Sequence, residues 1–294
     1  MATAAFVKRF LHSVPLGRKV DPAVRVAIAA DDPVAFQDAF LEAIAKPRKR
    51  LRKLLGKSSL LATWSVDAVD LSGRERELAA SLDDLTSRSA KRCRSTGKNK
   101  GTKREQARPP LKYDEVIGNW LVEIGPAPGP WETIAIAEIL LREGRTLSPE
   151  NFTQALAVLA GAALRDSSGG LFDTPTATDE NNAIRQMLQD GESPWLCSLL
   201  MSPLGGVQTL AKSATESLRK ILLECTDADG LVHGSLLSRL PEWLAPVTRC
   251  TIWSEVFHAP LWGNDSVERL ALVTERAALL VLPAAHHPAS WRLP

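Results

Sequence analysis

Three side chains of this sequence have the chemistry for proton transfer in an active site: Tyr113, His233 and His258. Histidine titrates near neutral pH, and tyrosine can serve as an acid or base where its surroundings shift its pKa. Tyr113 is the one tyrosine of the chain, and each of the two histidines lies next to a turn-like stretch. We treat the three as catalytic candidates, against the alternative that they are ordinary structural side chains.

Motifs for metals and cofactors are absent from the sequence. It has no G-x-S-x-G, Walker A, G-x-G-x-x-G or H-E-x-x-H pattern. The stretch Asp227–Gly230 resembles the start of a calcium loop, but Cys225 and Leu236 would then stand where carboxylates are needed. We therefore interpret this stretch as a turn between helices, and we expect neither a metal site nor a cofactor.

Tryptophans near turns form a second group of candidates, for ligand binding. An indole face can stack on a sugar ring, and large rings beside turns can line a groove. The alternative is that these rings pack in the core between helices. The residues are Trp131, Trp195, Trp243, Trp253 and Trp262.

Charge is distributed very unevenly along the chain, although the whole carries a formal net charge of +2. Residues 1–112 contain 24 Lys and Arg against 12 Asp and Glu, whereas residues 113–294 contain 12 against 22. The stretch 46–57, KPRKRLRKLLGK, has seven basic residues around three leucines, which is typical of a basic amphipathic helix. Such a helix presents either a solvated face or a contact surface for a polyanion.

A second basic stretch, Ser87–Pro110, contains nine Lys and Arg and one acidic residue. With almost nothing to bury, it cannot offset the entropy of ordering, so we predict a disordered linker over 87–112. Its function is either to solubilise the chain or to bind nucleic acid or another polyanion electrostatically. The basic candidates are Arg92, Arg94, Lys98, Lys100, Lys103 and Arg104.

Apolar residues recur at helical spacing over most of the remaining chain. Several of the predicted helices begin at Asp-Pro or Ser-Pro and end at Gly, and the loops between them are short. We predict an all-α protein of antiparallel helical hairpins. The predicted regions are a basic helical region (1–86), the linker (87–112), a helical-hairpin domain (113–282) and a tail (283–294).

The four cysteines show no C-x-x-C spacing and are predicted to be free thiols in a reducing compartment. The sequence shows no apolar run of transmembrane length and no recognisable signal peptide. These features predict a cytoplasmic protein.

Part of the second half resembles the helical N-terminal region of heparinase II/III-like proteins. The resemblance covers under half of the chain and is carried by four stretches, none of them catalytic. They are WETIAIAEILLREG from Trp131, QMLQDGESPWLCSLLMSPL from Gln186, the turn from Asp227 to His233, and the segment from Trp243 through Cys250 to Trp253.

This resemblance implies an α/α-toroid, with β-rich domains following it in that family. It also implies elimination at uronic-acid glycosidic bonds by a Tyr/His pair, with Asn or Arg neutralising the substrate carboxylate. Tyr113 lies outside the matching stretches and no strand-rich C-terminal half is recognisable, so a polysaccharide lyase activity is not carried over. We expect a non-catalytic or catalytically incomplete relative that contacts acidic polysaccharides. The alternative is a helical interaction module whose basic arm binds nucleic acid or an acidic protein.

Overall fold

The computed structural model of the chain describes residues 19–55, 72–94, 112–123, 128–166 and 180–285. Within these ranges all regular structure is helical, apart from one isolated antiparallel bridge between Thr226 and Val232. The predicted all-α class is therefore confirmed for the described part of the chain. Those ranges also contain no helix with the length and apolarity needed to span a membrane.

The helices are named in chain order. The first seven are α1 (Pro22–Ala29), α2 (Pro33–Ala43), α3 (Ala45–Leu55), α4 (Gly73–Arg94), α5 (Tyr113–Glu123), α6 (Pro130–Glu143) and α7 (Pro149–Asp166). The other five are α8 (Glu180–Gln186), α9 (Ser193–Leu200), α10 (Gln208–Glu224), α11 (Leu240–Phe257) and α12 (Asn264–Ala285). A π-helical turn, Met187–Glu192, follows α8, and short 3₁₀ turns occupy Gly144–Thr146, Ser202–Leu204 and Gly234–Arg239.

The chain divides into two compact units. Among the described residues, the first unit contains 19–166 with their gaps and Ser193–Ala211, and the second contains 180–192 and 212–285. Each unit has its own buried apolar side chains.

The first two helices begin where the sequence analysis expects. The carboxylates of Asp21 and Asp32 each accept hydrogen bonds from two backbone N–H groups of the following helix. A proline then takes the first helical position of α1 and α2, where the missing N–H is not needed. Local capping of this kind explains why these starts are readable from the sequence.

The core of the first unit is built around α6. Its residues 131–142 are all buried, and α6 contacts α3, α4, α5, α7 and α9. On α2, Phe36 and Phe40 are buried, and Phe40 meets Phe152 of α7 edge-on with ring centroids 5.7 Å apart. A helix covered on nearly all sides explains why WETIAIAEILLRE has so few positions open to solvent.

Glu132 joins three helices at the start of α6. Its side chain is 1% exposed and accepts two 2.7 Å hydrogen bonds from Arg74 of α4. Trp120 of α5 donates from Nε1 at 3.2 Å, and the Gly129 N–H donates at 2.8 Å. Burial raises the pKa of the Glu132 carboxyl, but these three donors outweigh it and leave the pKa below its ordinary value.

The second unit contains a buried ion pair beside its π-helical turn. Glu192, the last residue of that turn, accepts two 2.6 Å hydrogen bonds from Arg249 of α11. The two side chains are 0% and 6% exposed. The preceding Gly191 lies so close to Leu218 that a Cβ would stand 2.5 Å from its side chain, so a larger residue would have to displace that leucine.

The N-terminal end of the predicted linker, residues 87–112, overlaps α4. α4 continues to Arg94, so residues 87–94 are helical, because Arg, Lys and Ala favour helix continuation once a helix has started. Residues 95–111 of the predicted linker and the last nine residues of the predicted tail lie outside the described residues. The predicted region boundaries at 86, 112 and 282 stay predictions.

Candidate functional site

The basic surface of the first unit is organised by α3. At 100° per residue, Lys46, Lys49 and Lys53 fall on one side of the helix, and Arg48 and Leu51 fall on the opposite side. The structure agrees with this division, because the three lysines are exposed while Arg48 and Leu51 are 6% and 0% exposed. We call the surface formed by Lys46, Lys49 and Lys53 the lysine face.

Two of the three arginines of α3 donate to backbone carbonyl oxygens of α6. Arg48 donates from Nε to the Leu141 carbonyl oxygen at 2.8 Å, and Arg52 donates to the Arg142 carbonyl oxygen at 2.8 Å. These carbonyls lie in the last turn of α6, where no later helical N–H can reach them. Positive charge at a helix C-terminus also complements the helix dipole. Arg48 and Arg52 therefore anchor α3 to α6.

Burial lowers the pKa of the Arg48 guanidinium below its ordinary value, and the charges of Arg52 and Arg145 lower it further, whereas Glu143 and Glu42 oppose the shift. The helix α3 itself has six basic residues and no acidic one. The cations are thus concentrated at one place on the surface of the first unit.

The lysine face is not neutralised by neighbouring carboxylates. Among the described residues, no ion pair involves Lys46, Lys49 or Lys53. The nearest acidic residue along the chain, Glu42, pairs instead with Arg145 at 3.4 Å. Like charges three and four residues apart on a helix repel, so the lysine face is an unpaired cationic surface.

A shallow acidic depression of about 530 Å³ lies elsewhere on the first unit. It is lined by Asp21, Asp38, Glu42, Arg145 and three alanines. With three carboxylates against one guanidinium it has the wrong charge for a polyanion, and groups of His, Cys, Asp or Glu that could hold a metal are absent from the described residues. It does not add to the lysine face.

Four of the five candidate tryptophans are inside the protein. In the first unit Trp131 and Trp195 are 4% and 3% exposed, and in the second unit Trp243 and Trp253 are both 0% exposed. Stacking on a sugar requires an accessible indole face, so the burial of these four rings is what the core-packing alternative expects. Trp262 is half-buried and donates from Nε1 to Thr251 Oγ1 at 3.0 Å.

Tyr113 is half-buried at the start of α5. Burial raises the pKa of the Tyr113 phenol above its ordinary value, and the negative charge of Glu143 raises it further. A tyrosine that removes a proton from a substrate needs its pKa shifted the other way, because only the phenolate is a base. Its surroundings therefore keep Tyr113 in the protonated form.

The two candidate histidines belong to the second unit and are both exposed. His233 precedes the 3₁₀ turn Gly234–Arg239, and its Nδ1 lies 2.9 Å from Ser235 Oγ. His258 ends α11 in the left-handed backbone conformation, with φ at 53°. Both have a local structural role, and their pairing with Tyr113 stays a prediction.

The turn between α10 and the next 3₁₀ segment is a structural turn, as its sequence indicated. Asp227 Oδ1 accepts hydrogen bonds from the N–H groups of Asp229 and Leu231. Gly230 has a φ of 76°, and its Cα is so close to Leu272 that a Cβ would stand 2.4 Å away. A glycine is therefore required here on both conformational and steric grounds.

The basic candidates of the predicted linker are not placed as a site. Arg92 and Arg94 belong to the end of α4 by their backbone only, and Lys98, Lys100, Lys103 and Arg104 lie outside the described residues. Among the described residues, Cys197, Cys225 and Cys250 are buried and form no disulfide. Burial raises the pKa of Cys225 to about 11, so this thiol is unreactive at neutral pH.

Sequence reasoning missed the separation of roles within α3. The basic stretch was recognised, but its lysines were not distinguished from its arginines as candidate contact residues. The signal was present in the offsets of three and seven from Lys46 to Lys49 and Lys53, opposite Leu51. The partners of the arginines were not readable, because Leu141 and Arg142 lie about ninety residues further along the chain.

Compared with models of known protein families, with curated protein sequences and with solved structures, the chain has no significant match.

Proposed function

We propose that this chain is a non-catalytic helical protein that binds an acidic polysaccharide through the lysine face of α3. The observation that carries the proposal is that Lys46, Lys49 and Lys53 are exposed on one side of a helix and lack ion-pair partners among the described residues. An unpaired cationic surface attracts polyanions, and binding releases their counterions. By contrast, Lys212 and Lys220 of α10 pair with Glu216 and Glu224.

The non-catalytic part of the proposal is supported by the state of the candidate catalytic groups. Tyr113 has a raised pKa, which disfavours a base role. The buried carboxylates Glu132 and Glu192 are engaged by arginines. The two buried carboxylates are therefore not free to act as an acid or a base.

A relationship to the helical region of heparinase II/III-like proteins is part of the same proposal. It rests on the four stretches quoted above and on the helical structure of the described residues. Four candidate indoles are buried and are not accessible for stacking on a sugar ring: Trp131, Trp195, Trp243 and Trp253. The charge of α3 therefore becomes the main support for an acidic ligand.

The test is direct binding of labelled polysaccharides by the full chain. Fluorescence anisotropy with one sulfated and one uronic polysaccharide, measured over a range of salt concentrations, should show affinity falling linearly on a logarithmic plot. Replacing Lys46, Lys49 and Lys53 by Gln should weaken binding and reduce the slope by roughly 2–3, since about three charged contacts are lost. The matched control is the Lys212→Gln, Lys220→Gln variant, which should bind like the parent protein.

Two outcomes would contradict the proposal. Absence of salt-sensitive binding to either polysaccharide would remove it, and unchanged binding by the triple Gln variant would remove the lysine face as the site. Duplex DNA serves as a competitor in the same assay. DNA and polysaccharide are compared by their concentrations of anionic groups. If DNA displaces the polysaccharide at a much lower concentration of such groups, the hypothesis of nucleic-acid binding replaces that of polysaccharide binding.

A further inference from the structure

The outer side of α3 carries guanidinium groups as well as ammonium groups. Arg52 is exposed and lies three residues after Lys49, and Arg50 is half-buried four residues after Lys46. Side chains three and four residues apart are neighbours on a helix surface. At 100° per residue, Arg52 falls about 60° beyond Lys49, and Arg50 falls about 40° beyond Lys46 on the other side. The two arginines therefore flank the lysine face on opposite sides.

Arg48 and Arg52 use their guanidinium groups differently, although both donate to α6. Arg48 is 6% exposed, and it donates from Nε to the Leu141 carbonyl oxygen and from Nη2 to the Arg142 carbonyl oxygen. Arg52 is exposed, and among the described residues its one hydrogen bond runs from Nη2 to the Arg142 carbonyl oxygen at 2.8 Å. The Arg52 guanidinium is thus attached to α6 with most of its N–H groups still accessible.

The geometry of a guanidinium leaves Arg52 with a complete pair of parallel donors. Its five N–H groups lie in one rigid plane, and they form two parallel pairs, Nε with Nη2 and Nη1 with Nη2. Nη2 has two hydrogens, one in each pair. The carbonyl oxygen of Arg142 takes one of them, so the other pair remains whichever hydrogen is used. Such a pair matches two oxygens of one anionic group, such as a carboxylate or a sulfate.

The attachment to α6 also orders the Arg52 side chain before a ligand is bound. A flexible surface side chain loses rotamer freedom on binding, and that loss weakens the complex. Lysine has a compact charge on a flexible chain of four carbons and has no planar pair of donors. On this surface Arg52 is therefore suited to fix the position of an anionic group, whereas the lysine face supplies attraction.

We propose that Arg52 positions the polysaccharide on α3 by holding two oxygens of one carboxylate or sulfate with a parallel pair of N–H groups, beside Lys49. This inference rests on the proposed function, since it concerns the same ligand on the same surface. The lysine face attracts any polyanion, and Arg52 adds a contact that depends on geometry. Affinity then depends on the guanidinium at position 52 and not only on the charge there.

The experiment exchanges the guanidinium for an ammonium group in the Arg52→Lys variant. Lysine keeps the positive charge and can still donate one hydrogen bond to the Arg142 carbonyl oxygen. Binding of labelled dextran sulfate and of labelled polygalacturonate to the full chain is measured by fluorescence anisotropy over a range of salt concentrations. The variant should bind roughly tenfold more weakly with an unchanged salt slope, because a paired contact is lost but no charge. A loss with one polymer only identifies sulfate or carboxylate as the group that Arg52 holds.

The matched control is Arg50→Lys, which makes the same exchange on the other flank of the lysine face. It should bind like the parent protein. Parental affinity of Arg52→Lys, or an equal loss in both variants, would overturn the inference and leave the proposed function standing. If neither polymer binds the parent protein, the proposed function itself fails.

A stability measurement separates ligand contact from a purely structural role of Arg52. The free energy of unfolding in urea should be the same for Arg52→Lys and the parent, because the bond to the Arg142 carbonyl oxygen is retained. A clearly lower value in the variant would overturn the inference, since Arg52 would then act only by attaching α3 to α6.

Discussion

The two units of this protein differ in how their surface lysines are paired, although each unit also contains a buried ion pair. In the second unit the strongest ion pair, Glu192 with Arg249, is enclosed, and the surface lysines Lys212 and Lys220 have glutamate partners one turn away. In the first unit Arg74, the partner of Glu132, is 31% exposed, and the lysine face has no carboxylates paired with it among the described residues. A surface whose charges the fold leaves unpaired is available to a ligand, whereas a paired surface is not.

The largest effect is expected at the enclosed pair of the second unit. Replacing Arg249 by Met leaves the Glu192 carboxylate buried without its two 2.6 Å hydrogen bonds from Arg249. Removal of one partner of a buried pair typically costs about 3–5 kcal/mol. The free energy of unfolding, measured in urea, should fall by that amount.

The control for this prediction is the double variant in which Glu192 and Arg249 are both replaced by Met. Because the uncompensated charge is then gone, much of the lost stability should return. A loss of less than about 1 kcal/mol in the single variant would show that water reaches Glu192 and that the pair is not enclosed.

A smaller effect is expected at the corresponding pair of the first unit. In the Arg74→Met variant, Glu132 keeps its hydrogen bonds from Trp120 and the Gly129 N–H. Because these donors remain and Arg74 is partly solvated, the cost should be about 1–2 kcal/mol in the same urea measurement. Equal losses for Arg74→Met and Arg249→Met would remove the proposed difference between the units.

Glu132 also gives the first unit a defined dependence on pH. The pKa of the Glu132 carboxyl in the folded state lies below its ordinary value. The stability that this carboxylate contributes is therefore fully present above the unfolded-state pKa. It is lost as the pH falls through the folded-state pKa. Unfolding of the parent and of Glu132→Gln should be compared from neutral pH to below the ordinary glutamate pKa. The difference in free energy between them should be constant at neutral pH and shrink on the acid side. A difference that grows on acidification would contradict the lowered pKa.

The smallest effects are expected on the two lysine surfaces. Replacing Lys46, Lys49 and Lys53 by Gln removes repulsion, so without ligand the melting temperature should rise slightly, by the equivalent of a few tenths of a kcal/mol per pair. Replacing Lys212 and Lys220 by Gln removes two attractive pairs on α10, so the melting temperature should fall by a similarly small amount. Added polyanion should raise the melting temperature of the parent and of the α10 variant only. A rise in the α3 variant as well would locate the binding elsewhere.

Much of the helical framework was predictable because its signals are local. Asp21 and Asp32 cap helices through backbone groups two or three residues away, and a proline follows each. The amphipathic character of α3 was likewise visible in the offsets among its lysines and Leu51. The end of α4 was not predicted, since a highly charged stretch offers little apolar periodicity although its residues favour a helix.

The sequence by itself determined the helical class, the starts of several helices and the concentration of cations in the first half of the chain. Only the tertiary structure decided that Arg48 is buried and that Arg48 and Arg52 find carbonyl partners about ninety residues away. It also decided that four of the candidate tryptophans are buried. The physical reason is the same in both cases. A capping bond depends on the next few residues, whereas burial and long-range hydrogen bonds depend on which helices pack together.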